Sequence, residues 1–395
     1  MTKKTVWIPI AVFLALIFGG MAWGMLKKDR AYSDTENRYL ASKPAFTWEG
    51  LFDGSFTKEY ETYITDQFPK RDQWIGWKTR FEAAMGKQEI KNVWLAKDGY
   101  FIVNYPASDF ESELAEKNIR SLAEAAAYYT EKLGEDHVRV LLSPTASQIL
   151  TDKLPAFCGR YDQSLYLNRV QEALEEKNSS VWLDGEAILS PHKEEYIFYR
   201  TDHHWTTLGA FYAYKAWMES LGIQPREEAG LRVVAGDFLG TTWSKLHALG
   251  RPDSIAVYDT DTAVSLTHNL TEVTEGFYNW EALKTRDKYA VFLGGNDGLL
   301  LIRKTEKGGQ ETGESREAGE TGGSGERVLL VVKDSFANCL IPYAADHYDR
   351  ILVADLRYLN MSLQTLAKEY GVTDLLVLYH VQAFATDPSV FRIAK

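Results

Sequence analysis

The sequence predicts an α/β fold, a parallel sheet with helices on both faces, from three observations. Short apolar runs recur at Val138–Leu142, Val181–Leu183, Tyr289–Leu293, Val328–Val332, Ile351–Ala354 and Leu375–Leu378. Segments of helical periodicity lie between them, over about 110–133, 165–174, the stretch ending at Leu221, and 363–370. The strands also lack polar alternation, as expected of strands buried on both faces by their crossover helices. A chain of 395 residues, 45% hydrophobic and 25% charged, has ample core for this plan. Its net charge of −11 makes no electrostatic case for nucleic-acid binding, which would need a local basic patch.

Taken in order, Lys3-Lys4 precede an apolar stretch from Val6 to Leu26, followed by Lys27-Lys28-Asp29-Arg30. At about 1.5 Å per residue this spans roughly 30 Å, the thickness of a bilayer core. Residues 1–30 are therefore expected to anchor the chain in the membrane; cleavage as a signal peptide at Gly20-Met21-Ala22 is the alternative. Residues 31–105 are read as a stalk and amino-terminal module. Phe56, Tyr60, Tyr63 and Ile64 share a helical face, Asp66–Pro69 breaks it, and Trp74–Met85 resumes it. Val93–Ala96 and Tyr100–Val103 read as a hairpin turning at Asp98-Gly99. The α/β domain is expected over 106–395. It is interrupted by an inserted, substrate-facing segment at about 233–280 and a solvated, mobile loop at about 304–326 built of Gly, Glu, Thr, Ser and Lys. Cys158 and Cys339, the two cysteines, make no disulfide framework and are expected to be buried thiols.

The chemistry centres on Tyr199–Ala210, which sets Asp202, His203 and His204 side by side in a chain with eight histidines. Tyr196–Tyr199 reads as a strand. If extended geometry continues through Thr201, equal parity puts Asp202 with His204 and turns His203 away. An Asp accepting from one imidazole nitrogen leaves the other free to take a nucleophile's proton. A buried, hydrogen-bonded polar cluster is the alternative reading. A metal site is not expected, because neighbouring side chains rarely converge on one ion, and no cofactor is expected. Thr206 or Thr207 is placed to cap the helix that follows.

A nucleophile is sought at the strand ends. Val328–Val332 runs into Lys333-Asp334-Ser335-Phe336, placing Ser335 in a strand-to-helix turn with backbone amides nearby. Gly294, Gly295 and Asn296 are candidate oxyanion-hole donors, since paired glycines let amides approach a substrate. Each signal alone is weak: an Asp-Ser cap and a Gly-Gly-Asn turn are common. Together with Asp202 and His204 they make the parts list for acyl transfer. His203 and Trp205 are assigned to positioning, and Asp355 with Arg357 to an ion pair.

Asp202-His203-His204-Trp205 resembles the signature of the DHHW family, itself similar to the SGNH-hydrolase-like domain of alginate O-acetyltransferase proteins. Glu36-Asn37-Arg38, Asp66–Asp72, Lys97–Tyr100, Gly294–Asn296, Lys333–Phe336 and Asp355–Tyr358 support the resemblance in the same order, over most of the chain after the anchor. The resemblance implies an SGNH-hydrolase-like fold and a Ser335–His204–Asp202 triad. It also implies an extracytoplasmic domain held at the cytoplasmic membrane or secreted. The implied activity is serine-dependent O-acyl transfer, with acetyl as the expected group, to a cell-surface or secreted polysaccharide. A multispanning membrane acyltransferase is the implied acetyl donor. A carbohydrate esterase or deacetylase with the same triad, or a non-catalytic polysaccharide-binding surface protein, is the alternative.

Overall fold

The computed structural model describes residues 3–33, 35, 36, 38–177, 180–305 and 325–395. Most of the loop expected at 304–326, and Asn37 of the Glu36-Asn37-Arg38 motif, lie outside the described residues. Two compact units are present: Met1–Lys91 with Trp243–Leu249, and Asn92–Thr242 with Gly250–Lys395. The Val93–Val103 hairpin, assigned above to the amino-terminal module, falls in the larger unit.

The smaller unit begins with α1 (Lys3–Leu26), in which Trp7–Gly24 is long and apolar enough to cross a membrane. It continues through α2 (Ser55–Asp66) and α3 (Arg71–Ala84). Two of the spaced motifs clasp each other here. Arg38 donates to both oxygens of Asp66 at 2.8 and 2.6 Å, and Arg71 reaches Glu36 at 2.5 Å. Gln67 bridges the backbones of Arg30 and Ala41. The Arg38 guanidinium holds the Asp66 carboxyl at about 2, so the clasp stays charged at any ordinary pH.

The larger unit is built on an eight-stranded sheet. Its strands are β1 (Val138–Ser143), β2 (Trp182–Leu183), β3 (Val264–His268), β4 (Glu272–Glu275), β5 (Leu299–Lys304), β6 (Val328–Lys333), β7 (Arg350–Ala354) and β8 (Asp374–His380). They lie in the order β4-β3-β5-β7-β6-β8-β1-β2. From β7 to β2 all neighbours are parallel, whereas β5, β3 and β4 extend the edge antiparallel. Two expectations are corrected. The segment 233–280 contributes β3 and β4 to the main sheet rather than standing wholly apart. Tyr289–Leu293 is no strand: Lys288–Val291 forms a 3₁₀ turn, and Leu293 and Gly294 follow with φ of 60° and 77°. A short buried apolar run does not distinguish strand from turn, and the left-handed residues end any extended path.

Period-two alternation divides the central strands between two cores. Leu329 and Val331 of β6 join Leu376 and Leu378 of β8 and Tyr214 and Trp217 of α6 (Thr207–Ser220) on one face. Val328, Leu330 and Val332 join Ile119 and Leu122 of α4 (Glu113–Leu133), Val170 of α5 (Ser164–Glu175), and Leu366 on the opposite face. Hence the absence of polar alternation in the sequence. Trp217 is fully enclosed, its ring stacked on Tyr348 at 6.0 Å. Trp217→Ala is expected to destabilise the protein by about 3–5 kcal/mol, read as a lower midpoint in chemical denaturation without loss of the native fold.

Candidate active site

Ser335 stands where β6 ends, near the middle of the eight-stranded sheet and beyond the carboxyl ends of its parallel strands, where α/β sheets bind ligands. The turn around it is held by Asp334. One carboxylate oxygen accepts from the Phe336 amide at 2.9 Å, the other from the His380 amide at 3.0 Å, so the ends of β6 and β8 are tied together. Burial pushes the Asp334 carboxyl up to about 6, although both amides and the charges of Arg357 and His204 oppose it.

The imidazole that meets Ser335 comes from the loop ahead of α6. That loop is no continuing strand, so strand parity does not place Asp202 beside His204. Phe198 and Trp205 form an isolated antiparallel bridge, and Tyr199 donates to the His204 carbonyl at 3.2 Å, so the chain doubles back. Asp253 causes the bend. Its buried carboxylate accepts from the Arg200 and Thr201 amides at 2.9 and 2.8 Å, the Thr201 hydroxyl at 2.6 Å and the Tyr196 hydroxyl at 2.5 Å. These bonds replace a strand ladder. Asp202 then accepts from the His204 amide at 3.0 Å, and this tight turn, not strand parity, sets Asp202 beside His204. His203 is not turned away: its ring lies 3.9 Å from that of His204, and its Nδ1 is 2.7 Å from the Thr241 hydroxyl.

The resulting relay is continuous. His204 Nδ1 is 2.5 Å from Asp202 Oδ1, and His204 Nε2 is 2.7 Å from Ser335 Oγ. A carboxylate only accepts, so Nδ1 carries the proton and Nε2 offers its lone pair to the serine hydroxyl. Burial alone would push the Asp202 carboxyl up. The charges of His204 and His203, with the bonds from His204 and Thr241, hold it far below the ordinary carboxylate range, so it stays ionised. Thr241 donates from both its amide, at 2.7 Å, and its hydroxyl, at 2.8 Å, to Asp202 Oδ2, which leaves the hydroxyl oxygen to accept from His203. Asp202, His203 and His204 bring potential ligand atoms within 4.8 Å of one another, and Asp202 Oδ1 and both Nδ1 atoms are engaged in the bonds just given.

Trp205 donates its indole N–H to the Phe336 carbonyl at 2.8 Å, fastening the loop to the serine turn. The other sequence candidates lie across that turn. Lys333 Nζ donates to Asn296 Oδ1 at 2.6 Å and to Asn338 Oδ1 at 2.9 Å, and Asn338 Nδ2 donates to the Gly295 carbonyl at 3.2 Å. An ammonium cannot accept, so Asn296 must face Lys333 with its oxygen, and its amide nitrogen points the other way. Burial lowers Lys333 to about 8 against the pull of Asp355. Arg357 and Asp355 form the expected ion pair, at 2.9 and 2.5 Å. Cys339 is a buried thiol as expected; Cys158 is free but only partly buried, which corrects that expectation.

Sequence reasoning missed Tyr289, Gly240, Thr241 and His380. Tyr289 stacks on His204 at 3.9 Å and donates to the Ser335 carbonyl at 3.1 Å. A Cβ on Gly240 would collide with Asp202. His380 is buried and held neutral, with Nδ1 accepting from the Ala383 amide at 3.4 Å. The Thr-rich run at 241–242 beside a glycine was the one available signal. A cleft of about 630 Å³ lies nearby, lined by His268, Tyr278, Trp280, Gly294 and Asp297 among others. Its lining does not include Ser335 or His204, and of the glycine turn it includes Gly294.

Residues 185–354 match the DHHW protein family, and residues 94–247 match the SGNH hydrolase-like domain of the acetyltransferase AlgX. A DHHW family protein from Eubacterium siraeum is 22% identical, with 77% of this chain and 95% of that one aligned at a TM-score of 0.55. Bacillus cereus PatB1, in a structure with a sulfonyl adduct, is 20% identical, with 76% and 99% aligned at 0.57. No curated protein matches the chain. Over these segments the chain is similar to the DHHW and SGNH hydrolase-like families, and it shares the fold of the two solved structures.

Two outcomes check the geometry. Gly240→Ala is expected to displace Asp202, abolishing the far-downfield proton NMR signal of the short Asp202–His204 bond. For Asp334, the folded pKa of about 6 lies above the unfolded value near 4, so the folded state binds more protons between them. Wild type should therefore lose stability relative to Asp334→Asn as pH rises across that window, in chemical denaturation run at a series of pH values.

Proposed function

We propose that this protein, related to SGNH-like acetyltransferases, is a membrane-anchored, extracytoplasmic serine O-acyltransferase acting on a cell-surface or secreted polysaccharide, with acetyl the transferred group. The observation that carries the reading is the unbroken line from Ser335 Oγ through His204 to the buried Asp202 carboxylate.

In this reading His204 Nε2 removes the Ser335 proton as Oγ attacks the acyl carbon of a donor ester. Asp202, through Nδ1–H, holds the ring and stabilises the imidazolium that forms. The oxyanion is assigned to the Gly294 and Ser335 amides, with the Asn296 amide nitrogen as a further candidate, whereas the Gly295 amide already donates to the Phe292 carbonyl at 3.3 Å. Collapse expels the donor alcohol, which takes its proton from His204, and leaves an acyl-Ser335. A sugar hydroxyl then repeats the sequence in reverse. His203 and Trp205 position the loop rather than react. The acetyl donor is assigned to a multispanning membrane acyltransferase partner, reached because α1 spans the same membrane. The cleft lined by Trp280 and Tyr278 is the assigned lodging for the acceptor chain, since aromatic faces stack on sugar rings. Ser335 is only partly buried, which favours an esterase as the second reading, because water then reaches the acyl-enzyme.

Hydrolysis of a simple acetyl ester tests the core of this reading. Ser335→Ala and His204→Ala are each expected to cost about a thousandfold or more in kcat/KM. His203→Ala, which removes only a second support of Asp202, should cost about tenfold or less. Equal activity in wild type and Ser335→Ala would overturn the reading. Acyl transfer to oligosaccharide in competition with water separates the transferase from the esterase.

A further inference from the structure

We propose that an aromatic stripe on α3 rests on the lipid surface of the membrane that α1 crosses, so the amino-terminal unit is seated on the bilayer as well as tethered to it. The inference rests on the reading of α1 as a membrane-crossing helix.

The stripe is unusual in what it shows to solvent. Trp74, Trp77, Phe81 and Met85 are 49, 57, 66 and 73% exposed. Their spacings of three and four residues put them on one side of the helix and its final turn. The other side is the one that packs. Thr79 donates its hydroxyl to the Leu246 carbonyl at 2.8 Å, and a Cβ on Gly76 would meet the His247 carbonyl at 2.7 Å. With 3.6 residues per turn, the stripe is centred about 170° from Gly76 and Thr79. The helix therefore turns its small and hydroxylated side inward and its large aromatic side outward, the reverse of a water-soluble surface helix. A run of exposed aromatics of this kind marks a surface that something covers.

The position of α1 identifies the cover. Its last turn meets the residues immediately ahead of α3: a Cβ on Gly24 would touch the Pro69 ring at 3.9 Å, and Lys70 Nζ lies 5.6 Å from the centroid of the Trp23 ring. The stripe begins within about one helical turn of that junction. A bilayer crossed by α1 therefore ends where α3 starts. Tryptophan and phenylalanine are the residues that settle at the boundary of headgroups and acyl chains, and an amphipathic helix lies there with its apolar face down. Lys28, Lys70 and Lys78, all exposed and near the junction or beside the stripe, supply cations for anionic headgroups. Phe68, at 42% exposure in the turn between α2 and α3, extends the apolar edge toward α1.

The test uses the full chain in nanodiscs containing anionic lipid. An environment-sensitive fluorophore is attached at Trp77→Cys or Phe81→Cys on a Cys158→Ser background, Cys339 being buried. The expected result is a blue-shifted label that loses about half its emission to brominated acyl chains and little to aqueous iodide. A label quenched by iodide alone, in a chain that has entered the nanodisc, overturns the seating while leaving the anchor intact. A label shielded from both quenchers reports a protein contact, with a second copy in this purified system, and also overturns it. A chain that does not enter the nanodisc overturns the anchor reading and the seating together.

Discussion

A buried negative charge organises the larger unit. Asp202 is enclosed and still ionised, so the protein must offset the cost of removing a carboxylate from water. It does so with donors alone: the His204 ring and amide at Oδ1, and the Thr241 amide and hydroxyl at Oδ2. The doubled-back loop before α6, the missing side chain at Gly240 and the hydroxyl at Thr241 all serve the same carboxylate. Asp253 repeats the strategy one layer out, ordering residues 196–201 so that Asp202 arrives at the right height.

The serine side is built by a different rule. There the sheet does the positioning: β6 is central and paired on both sides, and Asp334 and Lys333 at its end distribute their bonds to β8 and to the glycine turn. The two halves meet through one hydrogen bond from Ser335 to His204, and are kept in register by Trp205 and Tyr289, each of which bonds a backbone carbonyl of the Ser335–Phe336 turn. A relay assembled from segments so far apart in the chain needs such side supports, because the reacting atoms alone supply little binding energy.

How much of this could be read beforehand depends on the range of the interaction. Apolar runs disclosed the buried strands because burial on both faces leaves no polar residue to hide the pattern, as in Val328–Val332. Asp202, His204 and Ser335 stood out because few residue types support that chemistry. The pairing of Asp202 with His204 was reached for the wrong reason. Strand parity predicts the pairing, whereas the bend that precedes it is held by Asp253, half a hundred residues downstream and invisible to any local pattern. Tyr289 was hidden likewise. Its run has the composition of a strand, and only the left-handed residues after it reveal a turn.

The alternating cores on the two faces of β6 carry a consequence for how this protein can change. Adding or deleting one residue within β6 would send Leu329 and Val331 into the core now filled by Val328, Leu330 and Val332, and the reverse. Both interiors would be mispacked at once. The number of residues between the start of that strand and Ser335 is therefore locked from above and below. Ser335, the proposed nucleophile, is thereby the fixed point of this architecture.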